Sequence, residues 1–194
     1  MLQTPSSAAF RGRDRMLAVL DEAVAGAEDG TVTARVRDAL CALMADPGIG
    51  LPEAVYTPAA DHYARRELHR SPVHGYSLVA MTWGPGQGTP LHDHAGLWCV
   101  EGIWHGALEI TQYALLEVDG ERARFRRDDC VAAGSGSAGS LIPPHEYHTI
   151  RNPSEREIAV SLHVYAGPLD ACTVFEPQPD GSYLRVARTL ARDA

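Results

Sequence analysis

Gly86-Gln-Gly-Thr-Pro-Leu-His92-Asp-His94-Ala-Gly-Leu-Trp-Cys99-Val-Glu-Gly-Ile-Trp-His-Gly106 is a glycine- and proline-punctuated loop that runs into a β-rich segment, Trp98–Trp104. In a strand, residues i and i+2 point to the same face, so the rings of His92 and His94 can reach one metal ion together. An H-x-H pair needs a third partner. The candidates are His145 and His148, which follow Pro143-Pro144 in His145-Glu-Tyr-His148, and His163, inside the run Ile158–Tyr165. Spacing alone leaves these three open. His105 reads as a strand-end surface residue, and His62, His69 and His74 as parts of a solvated helix face or turn.

Around this stretch the chain is a series of short β-rich runs: Tyr76–Trp83, Leu108–Val118, Arg122–Arg126, Gly139–Ile142 and Ile158–Tyr165. Gly, Pro and Asp clusters separate them, which predicts an antiparallel sandwich or barrel. Gly134-Ser-Gly-Ser-Ala-Gly139 predicts a mobile surface loop between two strands, and a further strand is expected around Tyr183–Val186. Upstream the period changes. Met16, Leu17, Leu20, Ala23, Val24 and Ala27 fall at helical spacing from Arg13 to Ala27, and Val32, Val36, Ala39, Leu40 and Leu43 repeat it after a Gly30-Thr31 break. Thr57-Pro58 reads as an N-cap followed by proline at the first helical position, predicting a third helix through Leu68. The 194 residues thus predict one domain, with a helical part over 1–70, a β-barrel core over 71–176 and a C-terminal extension over 177–194.

Composition narrows the partners. Hydrophobic residues make up 45% and charged residues 22%, and no apolar run reaches the about 18 residues of a membrane-spanning helix, so a folded protein outside the bilayer is expected. Seventeen Lys plus Arg against 25 Asp plus Glu give a net charge of −8, which opposes both phosphate backbones and anionic lipid surfaces. Neither nucleic acid nor a membrane is an expected partner. Met1–Arg15 has no apolar core behind a basic start, so a cytoplasmic location is expected. The four cysteines, Cys41, Cys99, Cys130 and Cys172, contain no C-x-x-C pair, against a zinc ribbon or dithiol motif.

The pattern Gly86-x5-His92-x-His94-x4-Cys99-x6-Gly106 resembles the first cupin motif, with cysteine where most cupins carry a glutamate ligand. Among cupins it is similar to the thiol dioxygenases of the cysteine dioxygenase group, whose iron is held by three histidines and no carboxylate. His148-x3-Asn152 matches the end of the second cupin motif, and Ser161-Leu-His163-Val-Tyr165 matches the group's S-x-H-x-Y signature. The resemblance covers about Tyr63 to Ala171. It implies a mainly β cupin barrel with N-terminal helices, iron(II) held by His92, His94 and His148, and a hydrogen-bond relay of Ser161, His163 and Tyr165 ending at the phenol. Cys99 matches the cysteine that forms a thioether with the tyrosine at the Tyr165 position in mammalian-type members. Tyr63-Ala-Arg65 resembles the group's Y-x-R element, in which arginine goes with cysteine as substrate and glutamine with 3-mercaptopropionate. Counting back from His92 without gaps selects Arg66 instead, so both arginines stand as candidate anchors for the substrate carboxylate.

The chemistry agrees with that resemblance. Three neutral imidazoles leave a divalent metal its full charge and, at six-coordination, three open positions, enough for a thiolate, a second substrate donor and dioxygen. The implied reaction is dioxygenation of a small thiol carboxylic acid, cysteine to cysteine sulfinate first and 3-mercaptopropionate as the alternative. Three histidines would equally suit zinc in a hydrolase or isomerase, or a sensing module without redox activity. The missing glutamate combined with S-x-H-x-Y weighs against those readings.

Overall fold

The computed structural model describes residues 9–26 and 29–193. The described residues form α1 (Arg13–Val24), α2 (Asp29–Ala45), a one-turn 3₁₀ helix (Glu53–Tyr56) and eleven strands. These are β1 (Ala64–Arg70), β2 (Ser77–Trp83), β3 (Leu91–His92), β4 (Cys99–His105), β5 (Ala107–Asp119), β6 (Arg122–Gly134), β7 (Ala138–Leu141), β8 (His148–Arg151), β9 (Ala159–Tyr165), β10 (Ala171–Pro177) and β11 (Tyr183–Thr189). One sheet runs β1-β2-β9-β4-β7, and the other six strands pair in a closed ring, β10-β11-β6-β5-β8-β3. The fold is a mainly β cupin barrel with two helices packed on its outside.

Burial explains the layering. β2 and β9 are buried at every position, so each needs cover on both faces. Leu78, Ala80, Val160, Leu162 and Val164 form one core with Leu20, Val36, Leu40 and Leu43 of the helices. The alternate residues Val79, Met81, Trp83 and Tyr165 belong to a second core inside the barrel, with Cys99, Ile103 and Leu141. Gly102 makes room for α2, because a Cβ there would lie 3.0 Å from Met44 Cε. Gly106 turns the chain from β4 into β5 at φ +75°, where a side chain would also press on the Ile158 carbonyl at 2.8 Å.

Several expectations need correction. The third helix predicted from Thr57 to Leu68 is absent: the helical part closes at Tyr56, and 64–70 is strand β1. Ala-Arg-Arg-Glu-Leu-His-Arg has a helix former's composition, but antiparallel pairing with β2 from Ala64↔Thr82 to Arg70↔Ser77 overrides that preference. The barrel therefore begins before residue 71, and β11 carries it past 176 by pairing with β10 and β6. The Gly134–Gly139 stretch joins β6 to β7 at the surface, as expected, in a hydrogen-bonded turn: the Ser137 N–H and hydroxyl both donate to the Gly134 carbonyl, and Gly136 and Ser137 exchange backbone bonds with Ile103. The helix break falls after Val24, while Gly30 and Thr31 lie inside α2. The expected helix end at Ala27, and most of the Met1–Arg15 stretch, lie outside the described residues. No helix among the described residues is long and apolar enough to cross a membrane.

Candidate active site

β3 sets His92 directly opposite His148 of β8 and beside Val174 of β10. The intervening Asp93 clamps the loop. Its Oδ1 accepts the backbone N–H groups of Ala95 (3.1 Å) and Thr173 (2.8 Å), and its own N–H donates to the Thr173 carbonyl. Ala95 and Gly96 then take φ of 52° and 80°, closing a turn through Leu97 N–H to the His94 carbonyl at 3.0 Å. That geometry sends the His94 ring inward, where it is 1% exposed.

The result is a three-histidine cluster. One ring nitrogen from each of His92, His94 and His148 lies within 4.8 Å of the others. The Nδ1–H of His92 donates to the Pro90 carbonyl (3.1 Å) and that of His148 to the Glu146 carbonyl (2.7 Å), which leaves an Nε2 lone pair free on each ring. His148 Nε2 and His94 Nδ1 are buried with no hydrogen-bond partner, and an orphaned buried polar atom costs about 1–3 kcal/mol. Burial, then the neighbouring imidazoles, hold His94 and His148 well below the usual histidine range; burial also lowers His92. Neutral imidazoles with inward lone pairs are what a divalent metal requires, so the residues fit such an ion. His145, by contrast, is exposed on the turn after Pro144.

His163 stands behind this cluster rather than in it. Ser161, His163 and Tyr165 are alternate residues of β9, so all three face the barrel interior. Ser161 Oγ lies 2.8 Å from His163 Nε2, and the Tyr165 hydroxyl lies 3.4 Å from His163 Nδ1. Trp83 Nε1–H anchors the inner end by donating to Ser161 Oγ at 2.8 Å. Tyr165 packs edge-on against the His94 ring, with centroids 5.4 Å apart. Burial, then the Arg65 charge, pushes His163 down to about 3, and burial lifts the Tyr165 phenol well above its ordinary range. Cys99 is the direct cross-strand partner of Tyr165 and is fully buried.

The two arginines part company on β1. Arg65 is 5% exposed and lines the histidine cavity; its Nη1 and Nη2 donate to the carbonyls of Ala191 (3.1 Å) and Leu169 (3.3 Å). Arg66 faces the other way by strand alternation, donating to Thr82 Oγ1 (3.2 Å) and the Thr57 carbonyl (3.0 Å), and is not among the residues lining the histidine cavity. Tyr63 joins the cavity wall and stacks on Trp83 with centroids 4.6 Å apart. The cavity is tight, with about 40 Å³ of free space.

Sequence reasoning passed over Asp93, Trp83 and Glu101. Asp93 sits between the paired histidines, and Trp83 closes a strand; neither position announces a contact made across the sheet. Glu101 had a legible signal, since it is two residues past Cys99 on the same strand and so shares its inward face. Its carboxyl is 5% exposed and lies opposite His163, with Oε2 3.6 Å from Nδ1.

Barrel and cluster together define a cupin whose cavity presents three histidines able to hold a metal ion. The family profile described as Cysteine dioxygenase type I matches residues 56–178, and the chain belongs to that family. It is 30% identical over 128 residues to cysteine dioxygenase type 1 of Bos taurus, covering 63% of this chain and 60% of that one. It is 31% identical over 120 residues to cysteine dioxygenase type 1 of Homo sapiens, covering 59% and 56% respectively. The chain thus spans somewhat over half the length of these curated relatives. Among solved structures, an RmlC-like cupin protein from Desulfovibrio desulfuricans aligns with a TM-score of 0.44 and 20% identity, over 61% of this chain and 95% of that one.

Proposed function

We propose that this protein is an iron(II)-dependent thiol dioxygenase that converts cysteine and dioxygen to cysteine sulfinate. The observation that carries the reading is the convergence, in one small cavity, of three neutral histidines, a buried arginine and the Tyr165 end of a buried relay. His92, His94 and His148 would hold the iron, which supplies open positions where thiolate sulfur and dioxygen meet.

The remaining steps belong to side chains. Arg65 is fixed by the Leu169 and Ala191 carbonyls with further N–H donors to spare, so it offers a positioned cation for the substrate carboxylate. Tyr165 orients its hydroxyl toward substrate, held by His163, whose ring is held in turn by Ser161 and Trp83. Leu169, Val174 and Leu190 line the cavity with apolar surface that excludes bulk water. The register of Cys99 against Tyr165 favours a thioether between Sγ and the phenol ring, two hydrogens passing to dioxygen; intact mass would then fall by two hydrogens and be restored in Cys99→Ser.

Oxygen uptake by the iron(II)-loaded protein with cysteine and with 3-mercaptopropionate tests the reading. A sulfinate product, higher kcat/KM for cysteine and loss of carboxylate affinity in Arg65→Gln are expected. Preference for 3-mercaptopropionate would move the substrate, and no uptake with either, at full iron occupancy, would overturn the reaction.

A further inference from the structure

A second cavity lies apart from the histidine site, between β4 and β7 on one side and β5 and β6 on the other; it has about 260 Å³ of free space and is walled by Ile103, Ile110, Gln112, Val131, Ser140 and Leu141. Glu101 also lines it. His163 lines the histidine cavity, and Glu101 Oε2 is 3.6 Å from His163 Nδ1, so this one contact is a polar wall between the two cavities. Oε2 is buried with no hydrogen-bond partner in the protein. A buried carboxyl oxygen facing an imidazole nitrogen, with a second, roomy cavity at its back, is the arrangement of a proton passage.

We propose that Glu101 is a positioning residue for the relay, passing protons between His163 Nδ1 and water in the second cavity. The inference rests on the thiol dioxygenase reading, because that chemistry needs an exit: a thiol and dioxygen give a sulfinate anion and one proton. When His163 carries its hydrogen on Nε2, donated to Ser161 Oγ, its Nδ1 accepts the outgoing proton from the substrate side. The imidazolium then gives that proton to the Glu101 carboxylate, and the carboxylic acid gives it to cavity water. Both residues end as they began and one proton has left by a route separate from the substrate mouth.

The surroundings support this role. The titratable groups that face Glu101 are Cys99 on its own strand and His163 and Tyr165 on β9; β5, β6 and β7 bring uncharged residues to the shared cavity. Burial lifts the Glu101 carboxyl to about 7, so it changes charge near neutrality and can both take and release a proton there.

The test compares the iron-loaded wild type with Glu101→Gln and Glu101→Asp across pH. Glu101→Gln keeps the shape and loses the proton site; kcat should fall about tenfold with KM unchanged, and the rise of kcat through about pH 7 should vanish. Glu101→Asp should restore part of both. A second readout needs no turnover: in the metal-free protein, infrared difference spectra should show a buried carboxylic acid band titrating near 7 and absent from Glu101→Gln, and the His163 ring nitrogen resonances should shift with it. An active wild type whose pH profile is unchanged in Glu101→Gln overturns the inference. If the wild type makes no sulfinate, the failure lies with the reaction, and the spectra decide the contact: no His163 response to Glu101 titration overturns it.

Discussion

The two faces of β9 have the same burial and opposite chemistry. Val160, Leu162 and Val164 turn outward under the helices, while Ser161, His163 and Tyr165 turn into the barrel, and none of the six is more than 2% exposed. The outer face is held by area: each buried aliphatic side chain contributes about 1.5–3 kcal/mol. The inner face carries three polar groups into a dry interior, and hydrogen bonds from Trp83 through Ser161 to His163 and Tyr165 offset that cost. One face makes the fold and the other makes the site. A strand can do both because its side chains alternate.

The comparison breaks if substitutions on the two faces behave alike. The largest effect should come from His148→Ala, in the cluster the inner face serves: iron affinity and sulfinate formation should each fall by more than about 100-fold, measured by metal analysis and product assay. The apoprotein should melt at an unchanged or higher temperature, because an orphaned buried nitrogen is removed. Next is Leu162→Ala on the outer face, which should cost about 2–5 kcal/mol and lower Tm by roughly 5–15 °C in calorimetry, while iron still binds stoichiometrically. Loss of iron binding with unchanged Tm would reverse the assignment of the two faces.

The pH dependence of apoprotein stability sharpens the same contrast. His94, His148 and His163 are depressed in the fold, His163 to about 3, so the unfolded chain binds more protons between that range and 6.5, and stability rises with pH across it. Glu101 acts oppositely: raised from 4.5 to about 7, it binds a proton in the fold that the unfolded chain has released, and stability falls as pH rises between those values. His92 is lowered with these three and Glu146 is raised with Glu101, and the four depressed histidines against the two raised carboxyls give a net gain from acid toward neutral pH in denaturant titrations. Glu101→Gln should steepen that gain. The smallest effect belongs to Ala95→Gly, which relieves a left-handed residue at φ 52° and should stabilise the fold by about 0.5–1 kcal/mol without moving the histidines.

Much of this was legible in order and spacing. H-x-H before a strand, His148 with Asn152 four residues on, and S-x-H-x-Y on one strand face carry their geometry in the sequence. Asn152 is a fold residue: its amide donates to the Trp83, Gly84 and Glu157 carbonyls and ties β2 to the turn before β9. What spacing left open, the register closed. His148 joins His92 because β3 and β8 pair at those two residues, and Arg65 rather than Arg66 reaches the cavity because β1 is a strand, with alternate sides, where a helix was expected. The β1 segment misleads because its residues favour a helix locally and only a partner strand makes it extended. The inward side of Glu101 follows from Cys99 two residues before it, but its partner does not, because His163 lies 62 residues away in sequence.

Product analysis after turnover of the iron(II)-loaded protein with cysteine under isotopically labelled dioxygen tests the central claim most directly. The account predicts cysteine sulfinate carrying both labelled oxygens in the wild type and none in His148→Ala. Sulfinate with oxygen drawn from water, or no sulfinate from a protein holding one iron per chain, would contradict it.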